Sequence, residues 1–150
     1  MNIESLIKTA LTQAVYIDGK KLRAGVYGLL IKENRVLMTH TKSGSKFIYN
    51  FPGGAVDSND KTLEAALIRE CAEELQRDVI VKEQLFTSQK PHVHEDFPDI
   101  FSLNCYFLIE AVGEEVAPGA EVDHVAWFDI NQLPLDQMLA CDKEFALFYF

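Results

Sequence analysis

Glu70, Glu73 and Glu74 lie close together in the segment RECAEEL, residues 69–75. At helical spacing Glu70 and Glu74 stack one turn apart and Glu73 sits on their flank, so three negative charges share one side. Like charges so placed repel, and one neighbouring cation, Arg69, does not balance three carboxylates. A hard divalent cation does, and an oxygen-only donor set favours magnesium, manganese or calcium over zinc. A glutamate cluster on its own usually means a solvated acidic helix face. The glycine turn that precedes this one, Pro52-Gly53-Gly54, and the adjoining Arg-Glu pair favour the metal-site reading.

The helix that presents these carboxylates needs an apolar face and two ends. At about 100° per residue, Leu67, Ile68, Cys71, Ala72 and Leu75 fall on an arc that excludes the three glutamates. Thr62 is placed to cap the N-terminus, Asp60 and Glu64 complement the positive helix end, and Pro52-Gly53-Gly54 lets the chain turn sharply beforehand.

Taken together, these residues resemble the Nudix box, the signature of the Nudix hydrolases. Its pattern is G, five residues, E, seven residues, then R-E-U-x-E-E-x-G-U, with U aliphatic. Gly54, Arg69, Glu70, Glu73 and Glu74 match, and Cys71 fills the first U position as a small buried side chain. Two departures stand out. The spacer between Gly54 and Arg69 is one residue longer, so the early glutamate falls on Asp60 counted from the glycine and on Lys61 counted from the arginine. Gln76 replaces the late glycine, with Arg77 at the final U; a non-glycine residue in a left-handed helix end costs roughly 1 kcal/mol. Tyr49–Gly54 and HVAWFDINQLP, residues 124–134, resemble the strands that flank the box in this family, so the likeness spans roughly residues 23–148.

The resemblance implies an α/β fold, an α/β/α sandwich with a mixed sheet and the box helix on one face, here with an extra N-terminal helix. It further implies hydrolysis of a diphosphate linkage in a nucleoside diphosphate derivative such as a nucleoside triphosphate, ADP-ribose or a nucleotide sugar. Mg2+ would be the cofactor, with Mn2+ able to substitute. Glu70 and Glu74 would be its principal ligands, Glu73 would assist, and the Gly53 backbone carbonyl would complete the shell. Arg69 would orient a carboxylate rather than touch phosphate. Glu121, on the loop before the late strand, would be a further ligand or the base that activates water, with Asp123 or Glu70 as alternatives. Pro91, about fourteen residues past the box, is similar to a proline of family members that cleave ADP-ribose. Two other functions are compatible with the altered spacer and Gln76: a nucleotide-binding regulatory module without turnover, or a hydrolase of dinucleotides or RNA 5′ ends.

Around the box, the pattern predicts elements that alternate in type. Ile3, Leu6, Ile7, Ala10, Leu11 and Ala14 recur at helical spacing, so residues 3–15 read as an amphipathic helix, docked on the domain or paired with a second subunit. Residues 23–32 and 35–42 read as a hairpin about Glu33-Asn34, and residues 42–46 as a loop. Phe47, Tyr49 and Phe51 alternate along a short strand, for core packing or for stacking on a nucleobase. Residues 78–88, 100–112 and 122–128 read as strands and 135–150 as a helix. The loop 89–98 is long for a simple connection and suits a cleft wall. Its His92 and His94 invite a metal reading, but a hydrogen-bonding or substrate-contact role fits a proline-bounded loop better. The terminal FALFYF, residues 145–150, is apolar enough for core packing or a homodimer contact.

At 150 residues with 48% hydrophobic content the chain suits one domain, residues 1–150, with a full core. No run reaches the ~20 apolar residues of a membrane span, and Glu4 and Lys8 stand where a secretory signal needs an apolar stretch, so a cytoplasmic protein without membrane contact is expected. Cys71, Cys105 and Cys141 are three in number and set among apolar residues, which predicts reduced core thiols. A net charge of −9 argues against duplex nucleic acid as a partner. An anionic nucleotide remains compatible, because a bound divalent ion inverts the local electrostatics; a basic patch of Lys42, Lys46 and Lys90 would be the local exception.

Overall fold

The computed structural model describes residues 2–93, 97–113 and 115–150. Its centre is strand β2 (Lys20–Leu29), which runs parallel to β9 (Ile100–Ala111) along nine residue pairs from Lys21↔Ile100 to Leu29↔Leu108. The other edge of β2 takes two short antiparallel strands, β1 (Tyr16–Ile17) and β6 (Gly53–Ala55). Beyond β9 lie β7 (Val79–Thr87) and β8 (His92–Val93), both antiparallel to it. A second antiparallel sheet is built on β4 (Arg35–Ser43), with β10 (His124–Asp129) on one edge and β3 (Ile31–Lys32) and β5 (Lys46–Asn50) on the other.

Strand alternation splits the core into two. Leu22, Ala24 and Val26 of β2 with Leu103, Cys105 and Phe107 of β9 face helices α1 (Ile3–Thr9) and α2 (Leu63–Leu75). Tyr27 and Leu29 with Tyr106 face the opposite way, against Phe51 and the Phe145-Ala146 stretch of helix α3 (Ala140–Tyr149). The sheet therefore has helices on both faces, the mixed α/β/α arrangement expected from the sequence. No helix among the described residues is long and apolar enough to cross a membrane.

Several boundaries differ from the periodicity reading. The first helix stops at Thr9, where the Thr9 and Thr12 hydroxyls donate to the Ser5 and Thr9 carbonyls and the last turns tighten. It is docked: Ile7 is fully buried in the α2-side core. Residues 42–46 form a tight β4–β5 hairpin, since Ser43 pairs with Lys46 and Gly44 supplies the positive φ of 60°. The glycine turn before α2 continues as β6, and the 89–98 loop contains β8; His94 lies outside the described residues. The last helix begins only at Ala140, after a 3-10 turn at Leu135–Gln137. Its tail divides, with Phe145 and Ala146 in the core and Leu147 and Phe148 about 70% exposed, at 73% and 67%.

The three cysteines are free and buried, as expected for core thiols. Burial raises all three, Cys105 to about 11 and Cys141 to about 12, so none is a thiolate at neutral pH.

Candidate active site

Helix α2 begins as the sequence predicts. The Thr62 hydroxyl accepts from the Ala65 amide at 3.0 Å, closing the N-terminus. Leu63, Ala66, Leu67, Cys71 and Leu75 are buried against the sheet, whereas Ile68, 39% exposed, and Ala72, also exposed, fall at the edge of the face that the helical periodicity assigns them to. At the other end Gln76 is left-handed, with φ 53° and ψ 36°. Its side-chain amide donates to the Pro118 carbonyl at 2.7 Å, and the Ala117 and Gly119 amides donate to the Leu75 and Glu74 carbonyls. These bonds satisfy the open helix end and offset the strain of a non-glycine residue there. They also fix the root of the loop that leads to Glu121.

The carboxylates separate by burial. Glu70 and Glu74 line a cavity of about 730 Å³, together with Gly53, Gly54 and Glu121. Glu73 points outward, with its side chain 60% exposed, and is not part of that wall. The Gly53 amide donates to Glu74 Oε1 at 2.9 Å, so the backbone of the glycine turn holds one carboxylate in place. Gly54 lies so close to Glu70 that an added Cβ would stand 2.6 Å from its carboxyl carbon, so a larger residue there would displace the Glu70 carboxylate. Burial, reinforced by the charges of Glu70 and Glu73, pushes the Glu74 carboxyl up to about 8; the Gly53 amide opposes this without cancelling it. Burial also raises Glu70, against the pull of Arg69. Without a cation, Glu74 therefore keeps its proton at neutral pH, because the donors around it do not offset the cost of its buried charge.

Arg69 orients rather than faces the cavity. Its Nε and Nη2 donate to the two Asp60 oxygens at 2.9 and 2.8 Å, Nη1 donates to Glu70 Oε1 at 3.0 Å, and Nη2 also donates to the Ala55 carbonyl at 3.2 Å. The bidentate bonds from Arg69 hold Asp60 below its ordinary carboxylate value and raise the guanidinium further. Asp60, read from the sequence as a helix-end charge, is thus the buried partner of Arg69, and the long spacer folds into a turn in which Asp60 also accepts from the Asp57 amide at 2.8 Å. Lysine cannot reproduce this fork. Arg69→Lys is expected to cost roughly 1–3 kcal/mol through the half-paired Asp60 and to lower kcat by about 10–100-fold through a loosened Glu70; thermal unfolding and initial rates on the same preparation check both.

The floor of the cavity comes from β2 and β9, and sequence reasoning missed it. Arg23 and Tyr27 are joined by a 3.1 Å bond from Nη1 to the phenol oxygen, and Ser102 and Asn104 lie across from them. One signal was available: an arginine and two glycines interrupt the otherwise apolar alternation of β2. Lys42 lies on one wall; His92, whose Nε2 is 3.2 Å from Glu144 Oε1, and Phe97 lie on another. Phe47 and Tyr49 pack on His40 and do not line the cavity, and Phe51 is core. Glu121 reaches the cavity wall whereas Asp123 pairs with His40 and His124 instead. Among the described residues, the buried amide oxygens Asn50 Oδ1 and Asn104 Oδ1 have no hydrogen-bond partner, and both residues line this cavity.

Below the floor, Asn104 donates to the Tyr106 hydroxyl at 3.1 Å, which donates to Asp142 Oδ1 at 2.6 Å. Burial raises Asp142 from 3.8 to about 6, with Tyr106 and the Phe51 amide opposing. A raised folded-state value means that the folded protein binds the extra proton, so the Asp142 contribution is complete below about pH 4 and is lost as pH rises through about 6. Urea unfolding of Asp142→Asn against the parent protein should reveal this. Whatever constant offset the lost hydrogen bond produces, the variant should gain up to about 3 kcal/mol relative to the parent between pH 3 and pH 7.5.

Comparison with known proteins agrees with this geometry. A family model for the NUDIX domain matches residues 20–147. An ADP-ribose pyrophosphatase of Methanocaldococcus jannaschii is 30% identical over 120 residues, covering 79% of this chain and 67% of that protein. Among solved structures, a MutT NUDIX hydrolase from Burkholderia pseudomallei superposes with a TM-score of 0.71 at 22% identity, covering 85% of this chain and 97% of its own. An ADP-ribose pyrophosphatase from Streptococcus suis superposes with a TM-score of 0.60 at 20% identity, covering 83% and 84%. With Glu70 and Glu74 on a cavity wall and the family match running from β2 into α3, the chain belongs to the Nudix family and is a pyrophosphohydrolase of that type.

Proposed function

We propose that this protein hydrolyses the diphosphate linkage of a nucleoside diphosphate derivative, with ADP-ribose as the representative substrate and Mg2+, replaceable by Mn2+, as the cation. The observation that carries this reading is the cavity itself: Glu70 and Glu74 on one wall, Arg23 and Lys42 on others, and two buried amide acceptors that no described residue satisfies. Its volume of about 730 Å³ falls within the range of small-ligand sites. The relative from Methanocaldococcus jannaschii supplies the choice of ADP-ribose.

The donor set fits a hard divalent ion. Glu74 is pushed up to about 8 by burial and by its neighbouring carboxylates, which is the situation a cation relieves. Glu70 and Glu74 would hold it with the Gly53 carbonyl, Glu73 would assist through its charge from outside the cavity wall, and the ion would supply positive charge for the phosphoryl oxygens. Arg69 keeps Glu70 in position through its bonds to Asp60 and Glu70. Arg23 offers a fixed positive charge on the cavity floor for a phosphate oxygen. Glu121, exposed at the cavity edge, is the group that takes the proton from the attacking water, and the bridging oxygen leaves with the second phosphate.

The test is a panel of ADP-ribose, nucleotide sugars, nucleoside triphosphates and dinucleotides, assayed with Mg2+, with Mn2+ and with chelator. Cation-dependent turnover of ADP-ribose with kcat/KM at least about tenfold above the rest supports the reading. Faster turnover of the triphosphates would replace ADP-ribose as the substrate.

A further inference from the structure

We propose that His40, Asp123 and His124 form a second cation site, for a transition-metal ion such as Zn2+ or Co2+, separate from the carboxylate site on α2. His40 on β4 and His124 on β10 are direct cross-strand partners, so their imidazoles meet with centroids 4.5 Å apart. Asp123 lies between them: its Oδ2 is 3.0 Å from His40 Nδ1 and 2.8 Å from His124 Nδ1. The three residues can each offer one ligand atom, and these atoms lie within 4.8 Å of one another. Ligands about 2 Å from a tetrahedral ion stand roughly 3.3 Å apart, so small rotations of these side chains complete the site.

The surroundings fit ligation as well. The Tyr49 hydroxyl is 3.1 Å from His124 Nε2, the nitrogen left over when Nδ1 binds an ion, and it sets the ring in the way that outer partners of metal-bound histidines do. Phe47 stacks on His40 at 5.2 Å between centroids, and Tyr49 packs on it at 4.6 Å, which limits the motion of that imidazole. The Asp123 amide donates to the His40 carbonyl at 2.9 Å and locks the two strands in register at the site. The side chains are 18%, 55% and 46% exposed for His40, Asp123 and His124, so water can fill the remaining coordination positions. Two imidazoles and one carboxylate select zinc, cobalt, nickel or copper over magnesium, the opposite preference from the all-oxygen glutamate cluster. Because Asp123 is two residues past Glu121, an ion here would tether the end of the Glu121 loop to β4.

The experiment is Zn2+ titration calorimetry of the full chain in excess Mg2+, with Co2+ absorption and the histidine ring resonances as independent readouts. The expected result is one equivalent bound in excess Mg2+, tetrahedral or five-coordinate Co2+ bands, and shifts of the His40 and His124 rings. His124→Ala, on an exposed side chain, and His40→Ala should each weaken Zn2+ binding by at least about tenfold, whereas Glu74→Gln should leave it unchanged. Absence of binding in excess Mg2+, binding that His124→Ala does not alter, or binding lost in Glu74→Gln would each overturn the proposal and leave Asp123 as a hydrogen-bond acceptor for two rings. None of these readouts depends on turnover, so the result stands apart from the substrate assignment.

Discussion

Glu74→Gln is expected to abolish cation-dependent turnover, lowering kcat by at least about 10²-fold, while making the metal-free protein more stable at alkaline pH. The two effects share one cause. Glu74 is held against the Gly53 amide, and burial with two neighbouring carboxylates pushes it up to about 8, far above an ordinary glutamate at 4.5. In the metal-free protein this group therefore contributes its full stability below pH 4.5, and that contribution is lost as pH rises through about 8. Glutamine keeps an acceptor for Gly53 and carries no charge. Unfolding in chelator should show the variant gaining on the parent by roughly 2–4 kcal/mol between pH 5 and pH 9, with partial solvent exposure taken into account. Adding Mg2+ should reverse the order, since a ligand that binds only the folded state stabilises it by about 2.7 kcal/mol at a hundredfold excess over Kd. An active variant, or one whose stability follows the parent at every pH, would remove Glu74 from the site.

The parts of this site that could be read from the sequence are those set by local spacing. The stacking of Glu70 over Glu74, the apolar face of Leu67, Cys71 and Leu75, and the Thr62 cap all follow from 3.6 residues per turn and appear as expected. The flanking position of Glu73 also follows, and it is this position that leaves Glu73 outside the cavity wall. Asp60 was legible as a charge near a helix end and, counted from Gly54, as the early acidic position of the box, but its pairing with Arg69, nine positions on, depends on how the longer spacer folds back. Gln76 read as a plain cost; the bond that offsets it goes to Pro118, forty-two residues away. Arg23, Tyr27 and Asn104 were missed for the same reason. They meet because β2 and β9 pair in parallel across a separation of almost eighty residues, and no local pattern encodes that register. The His40, Asp123 and His124 cluster likewise depends on β4 meeting β10.

Gly53→Ala should be among the most destabilising single methyl additions to this chain. Gly53 has φ +144°, which L side chains rarely adopt, and an added Cβ would overlap the Val26 carbonyl oxygen and stand 2.7 Å from the Tyr27 Cα. Both obstacles are backbone of β2, the central strand, so neither can swing away; β6 must separate from β2 instead. Strain of about 1–3 kcal/mol and overpacking of about 1–3 kcal/mol combine to roughly 3–5 kcal/mol, a large share of the stability of an ordinary domain. The melting temperature should fall by roughly 10–15 °C. Gly19→Ala is the matching control: its φ is also positive, at +79°, but nothing lies within 4 Å of the added methyl, so only strain of about 1 kcal/mol applies. The difference between the two variants measures the close approach of β6 to β2 together with the larger strain at φ +144°. Because the same backbone unit donates to Glu74, the folded fraction of Gly53→Ala should also lose activity beyond what its stability explains. If the two alanine variants melt together, the β6–β2 contact is looser than these distances indicate, and the glycine turn would then hold Glu74 by its amide without help from the sheet.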